Sequence, residues 1–217
     1  LTPETAACRE LLHEFGHGFA ARHFGVRTPE VVLLPSGGVA RLERIPDQPR
    51  AEFVIALAGP LVTLAIATAL VLWLGELPDP REMAGKQGWR AMVGQLAFAN
   101  IFLFAFNLLP AFPMDGGRVL RAGLSAWLGH ERGTRIAAAI GQACAVALGI
   151  LGLAAGHVIL VLVAVFVFLA AGSESGIAEL RGITSGRPAR EAMITSFQSL
   201  RPGGPVTEAA TALIRTD

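Results

Sequence analysis

The chain has 217 residues, of which 53% are hydrophobic and only 16% charged, where an ordinary soluble domain is about one quarter charged. Its mean hydropathy is +0.53, and 18 Lys and Arg nearly cancel 17 Asp and Glu to leave a formal charge of +1. These values exclude a typical soluble domain and leave no global electrostatic ground for a nucleic-acid partner.

The first element is a polar helix. Thr2-Pro3-Glu4 reads as a cap, a first-turn proline and a first-turn acid, and a helical run follows to about Phe24. It carries Arg9, Glu10, His13, Glu14 and His17, so it must be enclosed by other helices or line a wet cavity rather than face lipid. Next come two short strands, Glu30 to Leu34 and Val39 to Leu42, around Pro35-Ser36-Gly37-Gly38, whose turn chemistry predicts a hairpin. Apolar stretches near 53–75 and 91–109 are long enough to cross a bilayer, the second with Gln95, Asn100 and Asn107 inside it. An uncharged run over 136–172 suits two more spans, 136–155 and 157–172, folded back near Gly156 and His157.

Basic residues fall unevenly about these spans. Fourteen lie on one side and three on the other (Arg81, Lys86 and Arg90), with Arg9 left in the first helix, which predicts that 25–52, 110–135 and the C-terminal tail are cytoplasmic. From Thr184 the composition becomes that of a soluble domain, with a helix end at 190–194, a turn at 202–205 and an amphipathic helix at 207–214. The expected architecture is mainly α: a polytopic transmembrane bundle over 1–183 with a short membrane-associated β-hairpin, then the start of a soluble α/β tail over 184–217. Cys8 and Cys144 are too far apart in sequence to form a local motif and read as small buried hydrophobes.

His13-Glu14-Phe15-Gly16-His17 matches H-E-x-x-H. On a helix the two histidines project from one face and can ligate one zinc ion, with Glu14 placed to take a proton from a water that the ion activates. Chance alone yields on the order of 0.007 such matches in a chain of this composition; the bland alternative is a pair of ordinary helix residues. A catalytic zinc takes a third protein ligand, and the best donor is Asp115, in a segment from Asn107 to Arg118 where prolines and glycines break a helix at membrane depth. Glu174 is the weaker candidate. Asn100 lies one heptad before Asn107 and reads either as interhelical glue or as a site-lining group. His157 is expected at a helix turn, His23 and His130 at interfaces, and Phe98, Phe102, Phe104 and Phe106 against lipid or neighbouring helices.

The motif at 13–17, Ala58-Gly59-Pro60 in the next span and the run from Asn107 to Gly117 together resemble the site-2 protease family of intramembrane zinc metalloproteases, over roughly residues 10–172. The resemblance implies one zinc ion per chain held by His13, His17 and Asp115, Glu14 as general base, and Asn107 as a polar group near the substrate or the developing oxyanion. It also implies a hairpin in the membrane beside the site. An open strand edge there could take an unwound transmembrane segment as an added strand, with Gly37, Gly38, Val39 and Ala40 as substrate-binding residues. The expected function is regulated intramembrane proteolysis of a membrane protein substrate, in the plasma membrane of a prokaryote.

The tail from about Arg187 resembles the opening of a CBS domain, a type associated with adenine nucleotides when paired; a complete pair would lie outside this chain, and self-association into a homo-oligomer is compatible with the pattern. The chain departs from the family at three places. Thr63 stands where an asparagine is common, so that position is assigned no role; an apolar span before the zinc helix is missing; and Arg9-Glu10 replace apolar residues. The alternative reading is a channel or transporter regulated by the tail.

Overall fold

The computed structural model describes residues 3–26, 30–34, 37–41, 48–79 and 88–184, with isolated positions at 188, 190, 193 and 207. The chain divides into two compact units, Leu1–Gly182 and Ile183–Asp217. In chain order the elements are α1 (Pro3–His23), β1 (Glu30–Leu34), β2 (Gly37–Arg41), α2 (Pro49–Leu74), α3 (Trp89–Asn107), α4 (Asp115–Leu128), α5 (His130–Ala154) and α6 (Val158–Thr184). The tail elements expected at 190–194, 202–205 and 207–214 fall outside the described residues but for isolated positions.

Among the described residues four helices are long and apolar enough to cross a membrane: α2, α3, α5 and the first 23 residues of α6. The hub is α2, against which α1, α3 and α4 all pack. Pro49 opens it, where a missing N–H costs nothing, and Gly75 closes it at φ 77 with its N–H bonded to the Val71 carbonyl. Glu52, Ile55, Gly59, Thr63 and Ala67 recur along its buried side, while Val54, Leu61, Leu64 and Leu72 are exposed and suit lipid. Small side chains dominate the interior of the bundle, with Ala137, Ala145, Ala164 and Ala171 all buried, which lets helices approach closely where no hydrophobic force drives them together.

The polar helix α1 is not among the four. It buries His13, Gly16, His17 and Ala21 and exposes Leu12, Phe15 and Phe19, so its apolar side faces out and its histidine-bearing side faces in. It packs mainly on α2 and, among the strands, chiefly on β2. The hairpin is antiparallel, with Glu30 opposite Arg41, Val32 opposite Val39 and Leu34 opposite Gly37. Gly37 and Gly38 therefore belong to a strand and not to the turn in which the sequence reading placed them.

Several boundaries differ from expectation because apolar runs mark where lipid begins rather than where a helix does. α2 starts at Pro49, ahead of its charged first turn; α5 starts at His130; α6 continues to Thr184. In α5 the extra turn is held by Arg135 on Glu131 at 3.0 Å. The 110–135 segment, expected on the cytoplasmic side between two spans, contains the whole of α4. Cys8 is exposed, not buried, and Cys144 is half-buried. His157 does sit at a turn, where its N–H closes onto the Gly152 carbonyl at 2.8 Å beside Gly156 at φ 69.

Candidate metal centre

Three elements meet at one point. His13 and His17 leave α1 one turn apart toward α2, and Asp115 enters as the first residue of α4. Nδ1 of His17 lies 2.7 Å from the carbonyl oxygen of Ile55; a carbonyl can only accept, so Nδ1 carries the proton. Nδ1 of His13 lies 2.8 Å from Thr63 Oγ1. That hydroxyl donates to the Gly59 carbonyl at 3.2 Å, so it accepts from His13, and again Nδ1 holds the proton. In the neutral ring each Nε2 is then the atom that carries the free lone pair.

Those lone pairs converge. The two Nε2 atoms are 3.1 Å apart, and Asp115 Oδ2 is 3.1 Å from one and 3.3 Å from the other. With both imidazoles neutral, three acceptor atoms face one centre, an arrangement that a cation or a shared proton must balance. The three residues form a group able to hold a metal ion. Tetrahedral zinc with bonds of about 2.0–2.1 Å keeps its ligand atoms about 3.3 Å apart, so the spacing fits. Fixing each imidazole through its far nitrogen is also how metal-binding histidines are oriented.

The neighbouring backbone is shaped to this triangle. A Cβ on Gly59 would overlap the ring of His17 and come within 2.8 Å of His13 Nε2, so only glycine lets α2 lie against the ligand atoms. A Cβ on Gly16 would stand 2.8 Å from the Ala58 carbonyl oxygen, and its absence brings α1 onto α2. Pro60 has no N–H to offer the Ala56 carbonyl four residues earlier, the position next to the Ile55 carbonyl that His17 uses. On α4, Gly116 and Gly117 leave no room for a side chain beneath the carbonyls of Leu108, Leu109 and Ala111, which seats the helix under the preceding loop. A carboxylate in the first turn of α4 also meets the positive end of the helix dipole, and Arg118 lies 3.9 Å from its other oxygen.

Beside this centre runs a second polar cluster. Arg121 of α4 donates from Nε to Glu52 Oε1 at 2.7 Å, from Nη2 to the same oxygen, and from Nη1 to Glu174 Oε2 at 3.0 Å. Glu174 is therefore engaged with Arg121 and is not the third ligand. Glu14 is half-buried on α1, between the histidines in sequence. Asn107 ends α3, half-buried. Asn100 is fully buried; its amide nitrogen donates to its own helix at Leu96, and its Oδ1 has no hydrogen-bond partner among the described residues. Sequence reasoning had Gly59 only as part of a motif, gave Thr63 no role and missed the Glu52–Arg121 pair; the available signal was that Glu52, Ile55, Gly59 and Thr63 share one face of a helix.

Fold and site together describe a membrane-embedded metalloprotein. The chain belongs to peptidase family M50, whose model matches residues 10–79 and 75–151. It is 39% identical over 198 residues to a zinc metalloprotease of Methanocaldococcus jannaschii, covering 91% of this chain and 56% of that protein. It is 31% identical over 127 residues to stage IV sporulation protein FB of Bacillus subtilis, covering 58% and 41% of the respective chains. Among solved structures it resembles a site-2 protease from Methanocaldococcus jannaschii, with a TM-score of 0.59 and 34% identity over 90% of this chain and 79% of that one. The chain thus spans about half the length of the curated relatives it matches.

Proposed function

We propose that the chain is the core of an intramembrane zinc endopeptidase that cleaves transmembrane segments of other proteins. The observation that carries the reading is the triangle of converging donor atoms, with both imidazoles held by Nδ1, on a polar helix packed against a membrane-length one. His13, His17 and Asp115 would hold one zinc ion, which supplies Lewis acidity toward a carbonyl oxygen and an attacking water. Glu14 takes the proton of that water and delivers it to the leaving amine. Asn107 faces the substrate or the developing oxyanion. The test is protein purified in detergent with a single-span substrate: about one zinc per chain is expected, with cleavage stopped by a chelator and restored by zinc. Full cleavage by metal-free protein would overturn the proposal.

Substrate capture falls to the hairpin. A transmembrane helix hides its peptide bonds, and once unwound in lipid it needs backbone partners; Gly37, Gly38, Val39 and Ala40 of β2 offer them as an added-strand edge. Proline removes a ladder donor, so Leu33→Pro and Ala40→Pro probe the two edges. One of the two is expected to lower cleavage about tenfold or more, a ladder bond and its register being lost, with zinc content unchanged. Normal turnover in both would leave the helices alone to hold the substrate. The proposal extends to regulated proteolysis in a prokaryotic plasma membrane, a cytoplasmic tail beginning a CBS-like domain over 184–217, an adenine nucleotide at a completed pair of such domains, and self-association.

A further inference from the structure

We infer that Arg121 is a positioning residue for the metal centre: its ion pair with Glu52 sets the spacing between α2, which orients both histidines, and α4, which carries Asp115. This rests on the metalloprotease reading above. Glu52, Ile55, Gly59 and Thr63 stand three and four residues apart on one stripe of α2. The upper three hold His17, border both rings and hold His13; Glu52, at the start of the stripe, reaches the helix that bears the third ligand. Arg121 is six residues beyond Asp115 on that helix.

The pair is deep: Glu52 is 2% exposed and Arg121 5%. Two apolar side chains in these places would stabilise the bundle as well or better, so stability does not account for the charges. Register does. A planar guanidinium that meets one carboxylate through two nitrogens and a second carboxylate through a third is fixed in direction as well as distance, and α4 cannot slide along α2 without breaking it. The same guanidinium lies 5.2 Å from the ring centroid of Phe112, which is 2% exposed among Ala137 and Ala171 and stands three residues before Asp115. Arg121 thereby holds both the loop that leads into the ligand and the helix that leads out. A functional constellation tolerates displacements of only about 0.5 Å, which is the scale on which a loosened pair would act. Glu174 is the exposed arm, its side chain 40% accessible, and it links this spacing to α6.

The test uses the full chain in detergent, loaded with zinc or with cobalt, and reads metal release to a chelator, the visible cobalt bands, and kcat against KM. Glu52→Gln and Arg121→Lys are expected to release zinc about tenfold faster, to shift the cobalt bands, and to lower kcat about as much with KM unchanged. Glu174→Gln keeps the Glu52 contacts, so a smaller change of roughly threefold is expected. If a single variant fails to fold, Glu52→Met with Arg121→Met removes both charges together, which buried pairs tolerate, and should still release metal fast. Folded variants with wild-type release and unshifted bands overturn the inference. A wild-type chain that binds no metal overturns the metalloprotease reading, and this inference with it.

Discussion

Glu14→Gln is expected to abolish cleavage while the protein keeps its zinc. The donor triangle is complete without Glu14, and glutamine matches glutamate in size, so neither metal content nor fold should change. What disappears is a base: an amide cannot accept the proton of an attacking water or return it to the leaving amine. Positioned proton transfer contributes about 10²–10⁴-fold, and a loss in that range, read on a single-span substrate beside equal zinc per chain, is the expected result. Full activity in the variant removes Glu14 from the mechanism.

Asp115→Ala should fail differently, losing zinc and turnover together. The substitution takes one corner from a triangle whose edges are 3.1–3.3 Å and leaves two imidazoles. Removing even an outer partner of a metal site costs about 10–100-fold in affinity, so losing a direct ligand is expected to weaken zinc by on the order of 100-fold or more. α4 should survive, since Gly116, Gly117 and Arg121 still seat it; an unchanged far-UV circular dichroism spectrum alongside depleted zinc is the signature. Unchanged zinc and turnover would send the search for the third ligand elsewhere.

Some of this site could be read from residue types alone. Two histidines four apart on a helix state their chemistry locally, and Asp115 stood out because it follows a helix broken at membrane depth, where freed backbone groups are tolerated only inside protein or beside water. Other parts were hidden for physical reasons. Thr63 was given no role because an asparagine was expected there, yet a hydroxyl that donates down its own helix can accept from an imidazole. Arg121 counted as one more cytoplasmic positive charge, since nothing local shows that Glu52, 69 residues earlier, is its partner. α4 was obscured by its own glycines, which look like loop punctuation and instead permit close packing. The helix ends were displaced because charged first and last turns look like loops when spans are sought by hydrophobicity.

His13 and Asp115 are 102 positions apart in the chain. In polymer terms, an ion held between them is a cross-link that closes a loop of that length. The arithmetic for a covalent link closing about 100 residues gives about 4.7 kcal/mol in water; in a bilayer, where inserted helices are already confined, the entropy removed is smaller but has the same sign. The benefit falls unequally. α2, α3, α5 and α6 are retained by partition into lipid whatever the metal does, whereas α1, with Arg9, Glu10 and Glu14 on its flanks, has the weakest claim on a membrane interior and rests on α2 and the hairpin. An ion that tethered α1 to α4 would tie the retention of the least apolar helix to the loading of the site it carries.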